Sequence, residues 1–210
     1  MHDFALDPAK TALVNVDMQN CFVEDSPIAA PEGIVVLDRI NTLAAACRGA
    51  KVQVIHTAFA LRPDGSNLGV LAETSPPAKA GMLDKGSNSA ALHPRLVVHP
   101  DDLILEKPRF GAFHGTDLEL ILRSRGIDSI IISGIATNVC CETTAREAMV
   151  RDFRVFFVSD ATAAAPMGDM TAAQLQRATL TTLGFLFAQV LSMNEVLAKL
   201  SLAVHPRTAA

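Results

Sequence analysis

Short apolar segments alternate along this chain with longer segments whose apolar residues recur at helical spacing. Ile130, Ile131 and Ile132 form one such run, as expected of a strand buried on both faces. Regular alternation of strand and helix predicts a parallel sheet with right-handed crossovers and helices on both faces. The fold class predicted is therefore α/β: a single-domain three-layer α/β/α structure over residues 1–210, with a Rossmann-like, six-stranded, mostly parallel sheet.

The predicted elements account for most of the chain. Strands are expected at 11–17, 51–57, 103–107, 127–133, 154–159 and 185–191, and helices at 32–49, 115–125, 138–151, 171–183 and 193–202. Residues 60–102 fall outside this alternation, because turn-forming residues dominate there and periodicity is weak. A loop region of that length in a compact domain commonly has a function, so we expect a lid or a pocket wall.

Composition narrows the classes of partner. The formal net charge is −4 and no basic cluster is present, which excludes a typical nucleic-acid-binding protein and favours a small-molecule partner. Residues 178–194 contain several threonines, a glutamine and a glycine, so they do not read as a membrane span. Hydrophobic residues make up 50% of the chain, which is consistent with some surface being buried in a homo-oligomer.

The four cysteines, at positions 21, 47, 140 and 141, show no CxxC spacing. The first residues of the sequence do not resemble a secretory signal. Both features indicate reduced thiols in a cytoplasmic protein, with neither a disulfide framework nor a zinc site.

Adjacent cysteines follow the strand that contains the three isoleucines. Cys141 shares a helical stripe with Ala145 and Ala148, which is typical of a small buried residue. Cys140 lies off that stripe, in the predicted first turn of a helix that Thr137 or Asn138 could cap. Unpaired N–H groups and the helix dipole favour an anion there, so we expect the pKa of Cys140 to be lowered and its thiolate to act as a nucleophile.

Two further chemically competent residues end predicted strands. Asp17 closes the first strand and Lys107 closes the third, while Cys140 follows the fourth. Ligands of open parallel sheets bind beyond the carboxyl ends of the strands, so these three side chains are expected to share one crevice. A carboxylate can accept the thiol proton and return it to a departing amine, and an ammonium stabilises the anions.

Three ordered motifs carry a resemblance to a known family. They are VDMQN at 16–20, EKPRFGAF at 106–113 leading to GTDL at 115–118, and SGIATNVC at 133–140. Together they resemble the signatures of the isochorismatase-like cysteine hydrolases. The resemblance implies a catalytic triad of Asp17, Lys107 and Cys140, without a metal or other cofactor. It also implies a cis peptide at Ile135–Ala136, an oxyanion hole formed by the N–H groups of Ala136 and Cys140, and a dimer or tetramer.

The same resemblance narrows the activity. A nucleophilic cysteine favours cleavage of a C–N bond through a thioester, and the motifs are similar to those of ureidoacrylate and biuret hydrolases. The function expected is an amidohydrolase acting on a small linear amide or ureido compound. Metal-dependent nicotinamidases have an Asp-x-His pair and a further histidine after the second strand, whereas this chain has only His56. The alternatives are a maleamate- or nicotinamide-type deamidase, or a non-catalytic α/β protein that binds a small molecule or partner.

Residues near these motifs are candidates for substrate contact. Phe22, Phe110 and Phe113 could wall an apolar slot, although core packing explains them equally well. Arg109 could hold a substrate carboxylate through paired hydrogen bonds, or form a surface ion pair. Asn20 completes the predicted set. Cys21 stands where the family often has aspartate, and it is expected to be a packing variant.

Overall fold

The computed structural model describes residues 3–204; the ends of the predicted domain, 1–2 and 205–210, lie outside the described residues. Strands within that range are β1 (Thr11–Val16), β2 (Gln53–Phe59), β3 (Leu103–Lys107), β4 (Ser129–Ile135), β5 (Arg154–Ala163) and β6 (Gln189–Leu191). They form one sheet in the order β3-β2-β1-β4-β5-β6, and every neighbouring pair is parallel. The predicted α/β class and six-stranded sheet are confirmed.

Helices connect the strands. They are α1 (Asn20–Val23), α2 (Gly33–Gly49), α3 (Leu71–Thr74), α4 (Pro76–Lys79), α5 (Leu118–Ser124), α6 (Glu142–Met149), α7 (Ala172–Leu186) and α8 (Met193–Val204). A 3₁₀ turn at Pro8–Lys10 precedes β1, and a π-helical turn at Thr137–Cys141 leads into α6.

The sheet separates two apolar cores. Leu13 and Ile131 point to the face covered by α2 and α8, whereas Val14 and Ile130 point to the face covered by α5, α6 and α7. Neighbours along a strand face opposite sides of the sheet, so the continuous apolar run in β4 supplies both cores. Burial on both faces fixes the strand register, and hence which residues emerge at the carboxyl ends.

The end of β4 requires a glycine. Gly134 has φ +125°, and a Cβ at that position would lie 2.1 Å from the carbonyl oxygen of Val16 in the neighbouring strand. Only a residue without a side chain permits this approach of β4 to β1. The peptide bond between Ile135 and Ala136 is cis. The chain then enters the π-helical turn that contains Cys140.

Some element boundaries differ from the predicted ones. The expected strand at 185–191 is only Gln189–Leu191, because α7 continues through Phe185, whose side chain is 79% exposed on the last helical turn. Helix α5 begins at Leu118, three residues late, since Gly115 has φ +72° and the Thr116 hydroxyl donates to the Ala112 carbonyl in a turn.

Two further differences lie on either side of α6. Neither Thr137 nor Asn138 caps the helix, because the chain enters it through the π-helical turn without a side-chain cap. Strand β5 continues to Ala163, beyond the predicted end at residue 159, because it pairs again with β4 after a register shift.

Candidate active site

Asp17 lies directly after β1 with φ +50°, a left-handed conformation that is uncommon for a residue other than glycine. Thr57 of β2 holds it from both sides. The Thr57 hydroxyl donates to Asp17 Oδ1 at 2.6 Å, and the Asp17 N–H donates to Thr57 Oγ1 at 3.1 Å. The side chain is fully buried, so this contact and one cation fix the carboxylate within the protein.

That cation is Lys107, the last residue of β3. Its Nζ lies 2.7 Å from Asp17 Oδ2, and both side chains are 0% exposed. The ammonium also donates to the carbonyls of Arg109 and Phe110, each at 2.9 Å, and lies 4.5 Å from the centre of the Phe59 ring. Burial alone would lower the pKa of Lys107, but Asp17 and Cys140 more than offset it and raise that pKa. Lys107 is therefore held as an ammonium.

Cys140 completes the arrangement. Its sulfur interacts with both the Asp17 carboxylate and the Lys107 ammonium. The structure thus brings the three strand-end residues together in one crevice, at the edge where β1, β3 and β4 end. Cys141 is fully buried in the core between the sheet and α6, as its place on the helical stripe predicts.

The expected lowering of the Cys140 pKa is wrong. Burial raises the pKa of this thiol, and Asp17 raises it further, so that Lys107 only partly opposes the shift. The side chain is 4% exposed, and desolvation disfavours a thiolate more than one neighbouring ammonium favours it. The resting form is a neutral thiol beside a carboxylate that can accept its proton.

Burial also raises the pKa of Cys47 from 9.0 to about 12, with Arg48 opposing the shift. The unfolded chain therefore loses this proton near pH 9 while the folded chain keeps it, so the stabilisation present below pH 9 is lost as the pH rises towards 12. Between these two pH values the unfolding free energy falls as the pH rises. We expect Cys47→Ala to make this fall shallower by about 1.4 kcal/mol per pH unit. Urea unfolding of wild type and Cys47→Ala at several pH values in this range measures the difference. Parallel plots of unfolding free energy against pH for the two proteins would contradict the expectation.

Cys21 is buried beside the same crevice. Burial, followed by the charge of Asp17, raises the pKa of Cys21 to about 12. Its thiol therefore stays protonated at neutral pH. This agrees with the expected role in packing, since a neutral buried thiol is a poor nucleophile.

Hydrogen bonds connect the loop after β3 to α6. The Ala112 N–H donates to Thr144 Oγ1 at 3.1 Å, and the Phe113 N–H donates to Glu147 Oε2 at 3.1 Å. A Cβ on Gly111 would lie 2.1 Å from the Glu147 carboxylate, so a residue with a side chain would displace this contact. The Thr144 hydroxyl donates in turn to the Cys140 carbonyl at 2.7 Å. These contacts hold the carbonyls around Lys107 in fixed relation to Cys140.

The backbone beside Cys140 offers a hydrogen-bond donor. Within the described part of the chain, the Ala136 N–H donates no hydrogen bond, whereas the Ala136 carbonyl accepts from Val139 and Cys141, both at 3.1 Å. Ala136 and Cys140 both line the adjacent cavity. A free N–H at the cavity wall suits an oxygen that becomes negative during a reaction.

A cavity of about 220 Å³ opens over Cys140. Its walls come from α1 and the loop after it, the end of β2, the two short helices α3 and α4, the loop after β3, and the loop after β5. The lining residues are Phe22, Pro27, Ile28, Phe59, Leu71, Ser75, Pro77, Ala78, Leu83, Phe110, Ala136, Val139, Cys140, Ala165, Pro166 and Met167. Residues 71–83 contribute five of these, which confirms the expected pocket wall within 60–102.

Only some of the predicted substrate-binding residues line this cavity. Phe22 and Phe110 line the cavity. Phe113 is instead in the core, 5.7 Å from the Phe153 ring, and the Asn20 amide donates to a main-chain carbonyl in a separate surface cleft. The Arg109 guanidinium donates to the carbonyls of Asn67 and Pro108, outside the cavity. These three predictions need correction, because the loop conformations that turn the side chains away leave no periodic pattern in sequence.

Sequence reasoning also missed part of the cavity wall. Leu71 and Ala78 lie in an irregular stretch, and Met167 lies in a loop that has no motif. Leu71 and Ala78 could have been suggested by their apolar character in an otherwise polar region. Nothing in the sequence signals Met167.

His56 belongs to a different network. The Asn15 amide donates to His56 Nδ1 at 3.3 Å, and His56 Nε2 lies 3.1 Å from Asp102, which also binds Arg48. Burial lowers the pKa of His56. Both ring nitrogens are occupied, and residues 3–204 contain no group of three or more His, Cys, Asp or Glu residues positioned to hold a metal ion. None of the helices in the same range is long and apolar enough to cross a membrane.

The parallel sheet with a cavity at the carboxyl ends of its strands defines an α/β protein whose crevice suits a small molecule. Residues 11–195 match the isochorismatase domain family. The chain therefore belongs to the isochorismatase family, and it is a hydrolase of that family.

Named relatives agree with this assignment. Ureidoacrylate amidohydrolase RutB of Methylobacterium radiotolerans is 33% identical over 177 residues, covering 75% of this chain and 69% of the relative. Nicotinamidase 3 of Arabidopsis thaliana is 34% identical over 188 residues, covering 88% and 86%. A cysteine hydrolase from Pseudomonas syringae pv. phaseolicola superimposes with a TM-score of 0.91 at 34% identity, covering 96% and 97%. The family and these relatives indicate a hydrolase acting on amides.

Proposed function

We propose that this protein is a cysteine-dependent amidohydrolase that cleaves the C–N bond of a small linear amide or ureido compound, with Asp17, Lys107 and Cys140 as its catalytic triad. The observation that carries the proposal is the fully buried ion pair between Asp17 and Lys107, 2.7 Å long, beside a cysteine on a cavity wall. A buried charge pair of this kind adds little stability on its own, so its position beside a thiol favours a chemical role.

In the first half of the reaction, the Cys140 sulfur attacks the amide carbonyl carbon and its proton passes to the Asp17 carboxylate. The carbonyl oxygen becomes an oxyanion that accepts hydrogen bonds from the N–H groups of Ala136 and Cys140. Asp17 then gives its proton to the amide nitrogen. The C–N bond breaks, ammonia or an amine leaves, and the acyl group remains on sulfur as a thioester.

In the second half, water attacks the thioester and gives a proton to Asp17. The S–C bond breaks, the carboxylic or carbamic acid leaves, and Asp17 returns the proton to the Cys140 sulfur. Lys107 stays positively charged throughout, because its ammonium is bound by Asp17 and two carbonyls. Its ammonium positions the Asp17 carboxylate beside the Cys140 thiol.

Deamidation of nicotinamide or maleamate is the second candidate, because one relative is named a nicotinamidase. Ammonia release from biuret, ureido acids, maleamate, nicotinamide and simple primary amides separates the possibilities. Release from one class and not from the others assigns the substrate class. Ammonia release from none of these compounds would contradict both candidates.

A further inference from the structure

No described residue that lines the cavity over Cys140 is Lys, Arg, Asp or Glu. Among its sixteen described lining residues, only Ser75 and Cys140 have polar side chains. The Ser75 hydroxyl accepts from the Ala78 N–H and so belongs to the start of α4. Most of the surface that meets a ligand is aromatic or aliphatic, including Phe59, Leu71 and Leu83, which are 1%, 4% and 5% exposed.

Lys107 and Arg109, two cations beside the lining residue Phe110, are bound outside the cavity. Lys107 is fully buried and is neutralised by Asp17, with its other donors on two carbonyls. The Arg109 guanidinium donates to the carbonyls of Asn67 and Pro108. Because no described lining residue is Lys or Arg, a carboxylate inside the cavity would gain no ion pair from its wall, and it would lose its water in an apolar enclosure.

Desolvation of an unpaired carboxylate is one of the largest penalties in protein binding. An isopropyl group has the same branched shape as a carboxylate, and its burial against these walls is favourable. The cavity should therefore discriminate strongly between two amides that differ only by this exchange.

Volume limits the size of the ligand. A cavity of about 220 Å³ lies below the about 300–1,000 Å³ usual for ligand pockets, so it suits a small molecule. The amide group itself must lie at Cys140, which leaves room for a short branched chain or one small ring.

We propose that the substrate is a small primary amide whose acyl group is apolar and carries no ionised group, and that carboxylate-bearing amides are rejected. This rests on the proposed function for the chemistry at Cys140 and adds the substrate class. It distinguishes this chain from the relatives named ureidoacrylate amidohydrolase, since ureidoacrylate bears a carboxylate.

A matched pair of substrates tests it. Isocaproamide and succinamate have the same chain length and differ in an isopropyl group against a carboxylate. We expect kcat/KM for ammonia release to favour isocaproamide by at least about 100-fold, because an unpaired buried charge is so costly. A preference below about tenfold, or a preference for succinamate, would overturn the proposal.

Binding separates this proposal from the proposed function. The Cys140→Ala variant cannot turn over substrate by the route above, so Kd for each amide can be measured on it by calorimetry. Tighter binding of isocaproamide by at least about tenfold supports the apolar substrate class even if the wild type releases no ammonia from either amide, which would refute only the proposed chemistry. Equal affinities, tighter succinamate binding, or no binding of isocaproamide would overturn the substrate class.

Discussion

Replacing Cys140 with alanine is expected to lower kcat for amide hydrolysis by at least about 10⁴-fold, because the thioester route loses the atom that forms the covalent bond. Cys141→Ala is the matched control, since it removes an adjacent thiol that lies in the core and does not line the cavity. That variant is expected to keep kcat within about tenfold of wild type, apart from a modest loss of stability.

Steady-state ammonia release, with circular dichroism to verify folding, measures both variants. A residual Cys140→Ala rate near that of wild type would show that another group or a water molecule attacks the substrate. If only Cys141→Ala lost activity, the nucleophile would be Cys141.

Lys107→Met is expected to destabilise the fold by about 3–5 kcal/mol and to lower Tm by roughly 6–20 °C, since it leaves the Asp17 carboxylate buried without its cation. Both side chains are 0% exposed, so solvent cannot compensate. Asp17→Asn leaves the ammonium unpaired and should destabilise by a similar amount. The double variant Asp17→Asn/Lys107→Met removes both charges, and we expect it to recover most of the stability but none of the activity.

Urea unfolding of the four proteins gives the coupling energy between the two residues. We expect at least about 2 kcal/mol, well above the value for independent sites. If the two single losses simply add in the double variant, the residues do not act as a charge pair. Recovery of activity together with stability would show that the pair is structural only.

The strand-end residues were predictable because the parallel topology follows from the alternation of elements, and parallel strands end at one edge. The positions of Asp17, Lys107 and Cys140 needed no knowledge of loop conformation. Cys141 was predictable for a similar reason, since helical periodicity separates the two adjacent thiols.

The rest of the site depends on tertiary packing. The turn after β3 and its contacts with α6 determine where the side chains of Arg109 and Phe113 lie. No periodicity in the sequence predicts this turn. The sequence predicts the wrong direction for the pKa of Cys140, because it shows the helix start and the lysine but not the burial that outweighs them. The apolar run around Phe185 predicts a strand, because such a run fits a strand or a helix equally well when the exposure of its side chains is unknown.

Acyl transfer to hydroxylamine tests the central mechanism most directly, because a thioester on Cys140 transfers its acyl group to hydroxylamine in competition with water. During hydrolysis of an accepted amide, wild type and Cys141→Ala are predicted to form the hydroxamate at the expense of the acid, while Cys140→Ala forms neither. Ammonia and acid released in equal amounts, with no hydroxamate from the wild type at saturating hydroxylamine, would contradict a thioester intermediate and with it the role assigned to Cys140.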